Sequence, residues 1–208
     1  MESVISLDDA VEQTRTGDVW LFRGHSGADQ AIRLLTNAPV NHVGMVIAMD
    51  DVAPLLWHAE LGKGLRDVWT GDHHRGVQLH DLREAVEQWT DRYGQRGWLR
   101  QLSAEVTPAM EDALLTTIAR MDGLPFPSTV GLIGRVARGR LHRRAPAELA
   151  YCAEVVASAY TAMGLLDGSR PSNYYDPGKF WSGDDLELGL GASLGEEIEV
   201  WDTGVKYW

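Results

Sequence analysis

Cysteine is almost missing from this chain: Cys152 is the only one among 208 residues. A single thiol excludes an internal disulfide and any zinc site built from several cysteines. Basic side chains are also scarce, with 19 Lys and Arg against 30 Asp and Glu and a formal charge of −11. That balance argues against general nucleic-acid binding, which needs a basic footprint. Long apolar runs are absent too. The longest, Val43 to Met49, is far shorter than the ~20 residues that cross a bilayer, so no transmembrane segment is expected. The stretch Met1 to Asp9 is acidic and lacks a basic start followed by an apolar run. No signal peptide is therefore expected, and a cytoplasmic location follows. What remains is ordinary globular composition, 44% hydrophobic and 24% charged, which predicts one folded domain over residues 1–208.

The pattern along the chain predicts an α+β domain. Residues 7–15 read as a first helix, Asp18 to Phe22 as a strand, and Asp29 to Leu35 as a helix closed by Pro39. His42 to Met49 and Leu55 to Leu61 read as buried strands, separated by a turn at Asp50-Asp51. Gly64 to Trp69 and Gly76 to His80 are expected as two more strands, followed by a helix over Asp81 to Trp89 and a strand over Trp98 to Leu102. Thr107-Pro108 opens a helix with an N-cap residue and a proline at the first helical position, and Gly123 ends it. A loop rich in Pro and Gly is expected from Leu124 to Pro146. A helix from about Tyr151 to Leu165 follows, then a turn cluster and a last strand, Ile198 to Trp201.

Charge is unevenly distributed. Residues 129–146 hold five arginines (Arg135, Arg138, Arg140, Arg143 and Arg144) and no acid, while residues 182–203 hold seven acids and no Lys or Arg. The plainer reading is two solvated surfaces that attract each other. The sharper one gives Arg138 and Arg140 an anionic substrate group or membrane surface, which leaves peripheral membrane contact open.

Cys152 falls in the first turn of an apolar helix, Ala150-Tyr151-Cys152-Ala153-Glu154-Val155-Val156. Unsatisfied backbone N–H groups and the positive end of the helix dipole favour a thiolate there. A lone buried cysteine is otherwise an inert small hydrophobe. His42 opens the apolar strand His42-Val43-Gly44-Met45-Val46-Ile47, and in Leu55-Leu56-Trp57-His58-Ala59-Glu60 alternation puts His58 and Glu60 on one face. If the two strands pair, His58 or Glu60 supports the His42 ring. A thiol, an imidazole base and a polar orienter together form the logic of acyl transfer.

These segments, in this order, resemble the circularly permuted branch of the NlpC-type, papain-like superfamily, which includes YiiX-like proteins and the lecithin:retinol acyltransferase group. The matching pieces are Gly17 to Phe22, Ile32 with Thr36, Asn41 to Val46, Trp57-His58-Ala59, Gly123 to Phe126 and Tyr151 to Val156. His precedes Cys here, as the permutation requires. The resemblance covers about residues 17–165. It implies a permuted papain-like fold, an antiparallel sheet packed against helices with the nucleophile at a helix N-terminus. It also implies a cysteine hydrolase or amidase, or an acyltransferase, acting on an amide, ester or thioester of a peptide-like or lipid acyl substrate, without a cofactor. Cys152 matches the nucleophile, His42 the general base and His58 the third polar position. Ala153 departs from the pattern, since many relatives have Ser there, and Glu60 is a rival orienter. Tyr151 and the Cys152 N–H are candidates for steadying an oxyanion, although Tyr151 also reads as a core aromatic.

Three other readings compete. Gly24-His25-Ser26-Gly27-Ala28 resembles a serine nucleophile elbow, but only 23 residues precede it, too few for the earlier strands of an α/β-hydrolase. Ser26 reads better as a helix-start residue. A non-catalytic binding module that keeps the fold is the second alternative. Metal binding is the third; His25, His73, His74, His80 and His142 are scattered, show no ligand spacing and are expected on turns and loops, so no metal is expected. Sequence does not indicate an oligomeric state.

Overall fold

The computed structural model describes residues 3–50, 52–126, 134, 137–142, 151–184 and 186–201. Seven strands, β1 (Ser3–Ser6), β2 (Val19–Arg23), β3 (His42–Ile47), β4 (Leu55–Glu60), β5 (Gly76–Asp81), β6 (Arg96–Arg100) and β7 (Ile198–Trp201), form one sheet. Their order is β1-β7-β6-β2-β3-β4-β5. The helices are α1 (Leu7–Gln13), α2 (Gly27–Thr36), α3 (Leu82–Glu87), α4 (Pro108–Met121) and α5 (Cys152–Ala162). The α+β class and the sheet-on-helix packing match the sequence reading. β1 was not expected, and its parallel pairing with β7 makes an otherwise antiparallel sheet mixed.

Alternation along β2 fills both faces of the sheet. Val19 and Leu21 enter one apolar layer with Val43, Met45 and Trp57, covered by Leu114 and Ile118 of α4 and by Val155 and Tyr160 of α5. Trp20 and Phe22 enter the other, with Leu7, Leu82, Val86 and Trp89. Trp89 belongs to a π-helical turn, Gln88–Arg92, that extends α3. The caps follow the local sequence. Ser26 and Asp29 form a reciprocal capping box on α2, and Thr107 with Pro108 opens α4.

Two polar anchors tie distant segments to the sheet. The buried Asp18 carboxyl accepts from the backbone N–H groups of Arg15 and Leu102, and burial pushes its pKa up to about 6. Arg100 donates to the carbonyls of Phe180, Leu194 and Gly195, which holds the acidic C-terminal segment against β6. Among the described residues, acids of that segment pair with Arg96, Arg100 and Lys179.

The strand expected over Gly64 to Trp69 is a turn. Asp67 is the reason: its carboxylate accepts from the N–H groups of Trp69 and Thr70 and from the Thr70 hydroxyl, curling the chain. Its Oδ1 also accepts from Leu79 N, so a side chain takes the place of a ladder carbonyl beside β5. In the segment expected as a loop, Ala137–Arg140 is helical, while Arg135, Arg143, Arg144 and much of 124–146 lie outside the described residues. No helix among the described residues is long and apolar enough to cross a membrane.

Candidate active site

β3 begins at His42, and its register with β2 sets Phe22 opposite His42 and Trp20 opposite Gly44. Opposed residues share a face, so His42 lies on the Trp20–Phe22 side of the sheet. Pairing of β4 with β5 puts His58 opposite Gln78 and diagonal to His80 on that same side. Glycine at 44 makes room for the row, since a Cβ there would sit 2.8 Å from Leu56 Cδ1 and 3.2 Å from His58 Cβ.

The result is a chain of three imidazoles. His42 Nε2 lies 2.8 Å from His58 Nδ1, His58 Nε2 lies 3.0 Å from His80 Nδ1, and His80 Nε2 lies 3.2 Å from Gln78 Oε1. Gln78 sets its direction. Gln78 Nε2 faces the Gly76 carbonyl at 3.4 Å, which only accepts, so Oε1 is the atom turned to His80. His80 then carries its proton on Nε2 and accepts at Nδ1. His58 donates from Nε2 and accepts at Nδ1; His42 donates from Nε2 and keeps Nδ1 as its basic atom. Burial pushes all three pKa values down, His42 to about 3, His80 to about 4 and His58 well below the usual range, so the rings are neutral. The Trp89 ring stacks on His42 at 3.9 Å between centroids and fixes its plane.

His58, rather than Glu60, is the partner of His42. Glu60 makes no hydrogen bond to a histidine among the described residues; its Oε1 has no partner, and burial pushes its pKa up to about 7 against the opposing pull of the Trp89 side chain. His80 and Gln78 were missed by the sequence reading. His80 had been grouped with histidines on turns, but it is a buried residue of β5. The alternation His80, Gln78 along a predicted strand was the available signal, and only the β4–β5 register gives it meaning.

Cys152 is the first residue of α5, and Tyr151 occupies the N-cap position without a side-chain cap. The first-turn N–H groups are therefore not consumed by a cap. Backbone N–H groups of Val43, Ala153 and Cys152 itself lie against the thiol and favour the anion, but burial outweighs them and pushes the thiol up to about 11. The expectation of a helix-lowered thiol pKa is corrected accordingly: Cys152 is 5% exposed, and desolvation exceeds the terminal dipole. Alkylation of Cys152 by iodoacetamide should thus accelerate about tenfold per pH unit between about pH 7 and 10, following the thiolate fraction. A plateau already reached near neutrality would show a thiolate stabilised beyond what burial permits.

Cys152 and His42 both line a cavity of about 540 Å³, with Glu60, Trp89, Tyr93 and Tyr151 among its other lining residues. Among the described residues no hydrogen bond joins the Cys152 sulfur to the His42 ring. Tyr151 lines the cavity, but its hydroxyl donates to the backbone carbonyls of Asn173 and Tyr175, which corrects its expected oxyanion role. Arg140 reaches the cavity and lies 3.9 Å from the buried Asp176 carboxylate, whereas Arg138 is exposed and not among the lining residues. Ser26 lies outside the lining, with its hydroxyl held by Asp29 in the capping box. His74 is not isolated: its Nε2 lies 3.2 Å from Asp67, and Asp122 joins them with ligand atoms within 4.8 Å of one another. Asp67 is already engaged there by four donors of its own turn and of β5.

No family model matches the chain, and no curated protein matches it. Among solved structures it is similar to the crystal structure of the metalloprotein yiiX from Escherichia coli O157:H7. Identity is 20%, the TM-score is 0.50, and the match covers 72% of this chain and 66% of that one. The likeness is one of fold: the chain has a YiiX-like α+β architecture and matches about two thirds of that protein's length.

Proposed function

We propose that the chain is a cysteine-dependent hydrolase or acyltransferase of the permuted papain-like type, with Cys152 as nucleophile, His42 as general base and His58 as orienter. The observation that carries the reading is that Cys152, at an uncapped helix start, and His42, hydrogen-bonded to His58, line one cavity. The fold likeness to yiiX supports it at the level of architecture.

The chemistry follows from the protonation states. A neutral thiol faces a site with a neutral imidazole, so proton transfer accompanies attack instead of preceding it. The Cys152 proton passes to His42 Nδ1 as Sγ bonds to the carbonyl carbon of an amide, ester or thioester. N–H groups at the start of α5 donate to the developing oxyanion in this scheme. The carbonyl–leaving-group bond breaks, the leaving group takes the proton from His42, and the acyl group remains on sulfur. Water or another acceptor then attacks the thioester while His42 removes its proton, and the thiol is restored. Base and nucleophile in this scheme come into hydrogen-bond contact with substrate bound, as such pairs commonly do.

The test is a panel of activated aminoacyl, peptidyl and fatty-acyl esters and thioesters incubated with the full chain and followed by intact-mass and peptide mass spectrometry. An acyl adduct on Cys152 that forms and decays is expected. Turnover without any Cys152 adduct, or no reaction across the panel, would overturn the reading.

A further inference from the structure

One titratable group in the cavity has no part in the chemistry described above. Glu60 is 4% exposed, yet its Oε1 has no hydrogen-bond partner among the described residues; the Trp89 indole is the one side chain that pulls on this carboxyl. Gly62 walls it in, since a Cβ at that position would collide with Oε1 and sit 3.4 Å from the Tyr93 hydroxyl. A buried carboxylate oxygen without a partner is costly, and proteins rarely keep one. Nothing in the fold of β4 requires it, because the neighbouring backbone of that strand is paired in the ladder.

The other charged groups lining the cavity are already engaged. Asp29 accepts from Ser26 and Asn41, and Asp176 accepts from Gly178 N and faces Arg140. His42 is neutral. Among the described lining residues the uncommitted titratable group is therefore Glu60, which is negative above about pH 7. Tyr93 adds to this end: its hydroxyl oxygen already accepts from Gln88 Nε2 at 2.9 Å and has a second lone pair. Trp89 adds an aromatic surface that stacks on His42 and meets Tyr93 edge-on.

We infer that the Glu60–Tyr93 end of the cavity is a subsite for a protonated primary amine of the substrate, so that the acyl donor is an aminoacyl or peptide-like compound rather than a lipid. An ammonium group offers three donors to a carboxylate that lacks one, and its charge complements the cavity. An anionic headgroup would meet Glu60 with like charge. Arg140, the cationic side chain in the described lining, lies 3.9 Å from Asp176. This inference rests on Cys152 being the nucleophile only in calling the ligand an acyl donor; the binding itself does not depend on it.

The experiment uses the full chain carrying Cys152→Ala, which cannot react, and compares benzylamine, benzyl alcohol and benzoate by calorimetry at about pH 8, above the shifted Glu60 pKa. Benzylamine should bind about tenfold or more tightly than benzyl alcohol, and benzoate more weakly than either. Glu60→Gln, nearly the same in shape, should remove the preference for the amine. Tyr93→Phe, at a side chain that is 43% exposed, should reduce it by about two- to fivefold without disturbing the fold. No benzylamine binding, equal affinity for amine and alcohol, or a preference that survives Glu60→Gln would overturn the subsite. The two readings separate cleanly. Acyl adducts on wild-type Cys152 without amine preference would leave the nucleophile standing and remove the subsite. Amine preference in the Cys152→Ala chain with no adduct in the wild type would do the reverse.

Discussion

Replacing Cys152 by alanine should lower turnover about 10⁴-fold or more, and His42→Ala about 10²- to 10⁴-fold. In the proposed chemistry the first change removes the atom that carries the acyl group. The second removes the base that a thiol with a pKa of about 11 requires at neutral pH. Because both act on one step, the double variant should be hardly worse than Cys152→Ala alone. Loss of fold does not explain such an effect. Cys152 is a small group at the edge of the first apolar layer, and removing its sulfur should change stability by about 1 kcal/mol. Circular dichroism and urea unfolding would verify that. His58→Ala should be milder than His42→Ala, since it leaves the base in place but frees its ring, held then by ring contacts with Trp89 and Phe22. Full turnover in the Cys152→Ala chain would falsify the proposed chemistry.

Glu60→Gln should stabilise the protein at about pH 8 by on the order of 3 kcal/mol, although it weakens the proposed amine site. The carboxyl titrates near 7 in the folded chain and near 4.5 when unfolded. Between those values the folded state holds a proton that the unfolded state has lost, so stability falls as pH rises, and the loss is complete above about 7. Glutamine never ionises and avoids it. The advantage of the variant should therefore be absent below about pH 4, grow through the interval and level off by about pH 8. Urea unfolding of both chains at several pH values measures this directly. Equal stabilities at pH 8 would show that Glu60 has a compensating partner in the folded state. A stability gain together with lost amine preference would mark Glu60 as a residue retained for binding.

Much of the fold was legible because its signals are local. Ser26 with Asp29 and Thr107 with Pro108 announce helix starts whatever else the chain does. The unbroken apolar run from Val43 announces a buried strand. Gly64 to Trp69 misled because apolar residues around Asp67 read as a strand, while the Asp67 carboxylate satisfies the backbone in a turn. β1 went unseen for a different reason. Its four residues pair with β7, nearly 200 positions away, and such a partner leaves no periodic trace in a strand so short.

The candidate site divides along the same line. That Cys152 opens a helix and that His42 opens a buried strand are properties of the neighbouring residues, and the one-dimensional order already placed both. The orienter could not be settled that way, since His58 and Glu60 share a face of one strand. It took the β4–β5 register to bring His80 and Gln78 beside His58 and so give the imidazole chain its direction. Protonation states belong to the folded molecule for the same reason. Desolvation sums over every group packed nearby, and those groups come from all parts of the chain. The helix start alone argues for a thiolate at Cys152; the surrounding core turns it into a neutral thiol, and leaves Glu60 as the uncommitted titratable group of the described cavity lining.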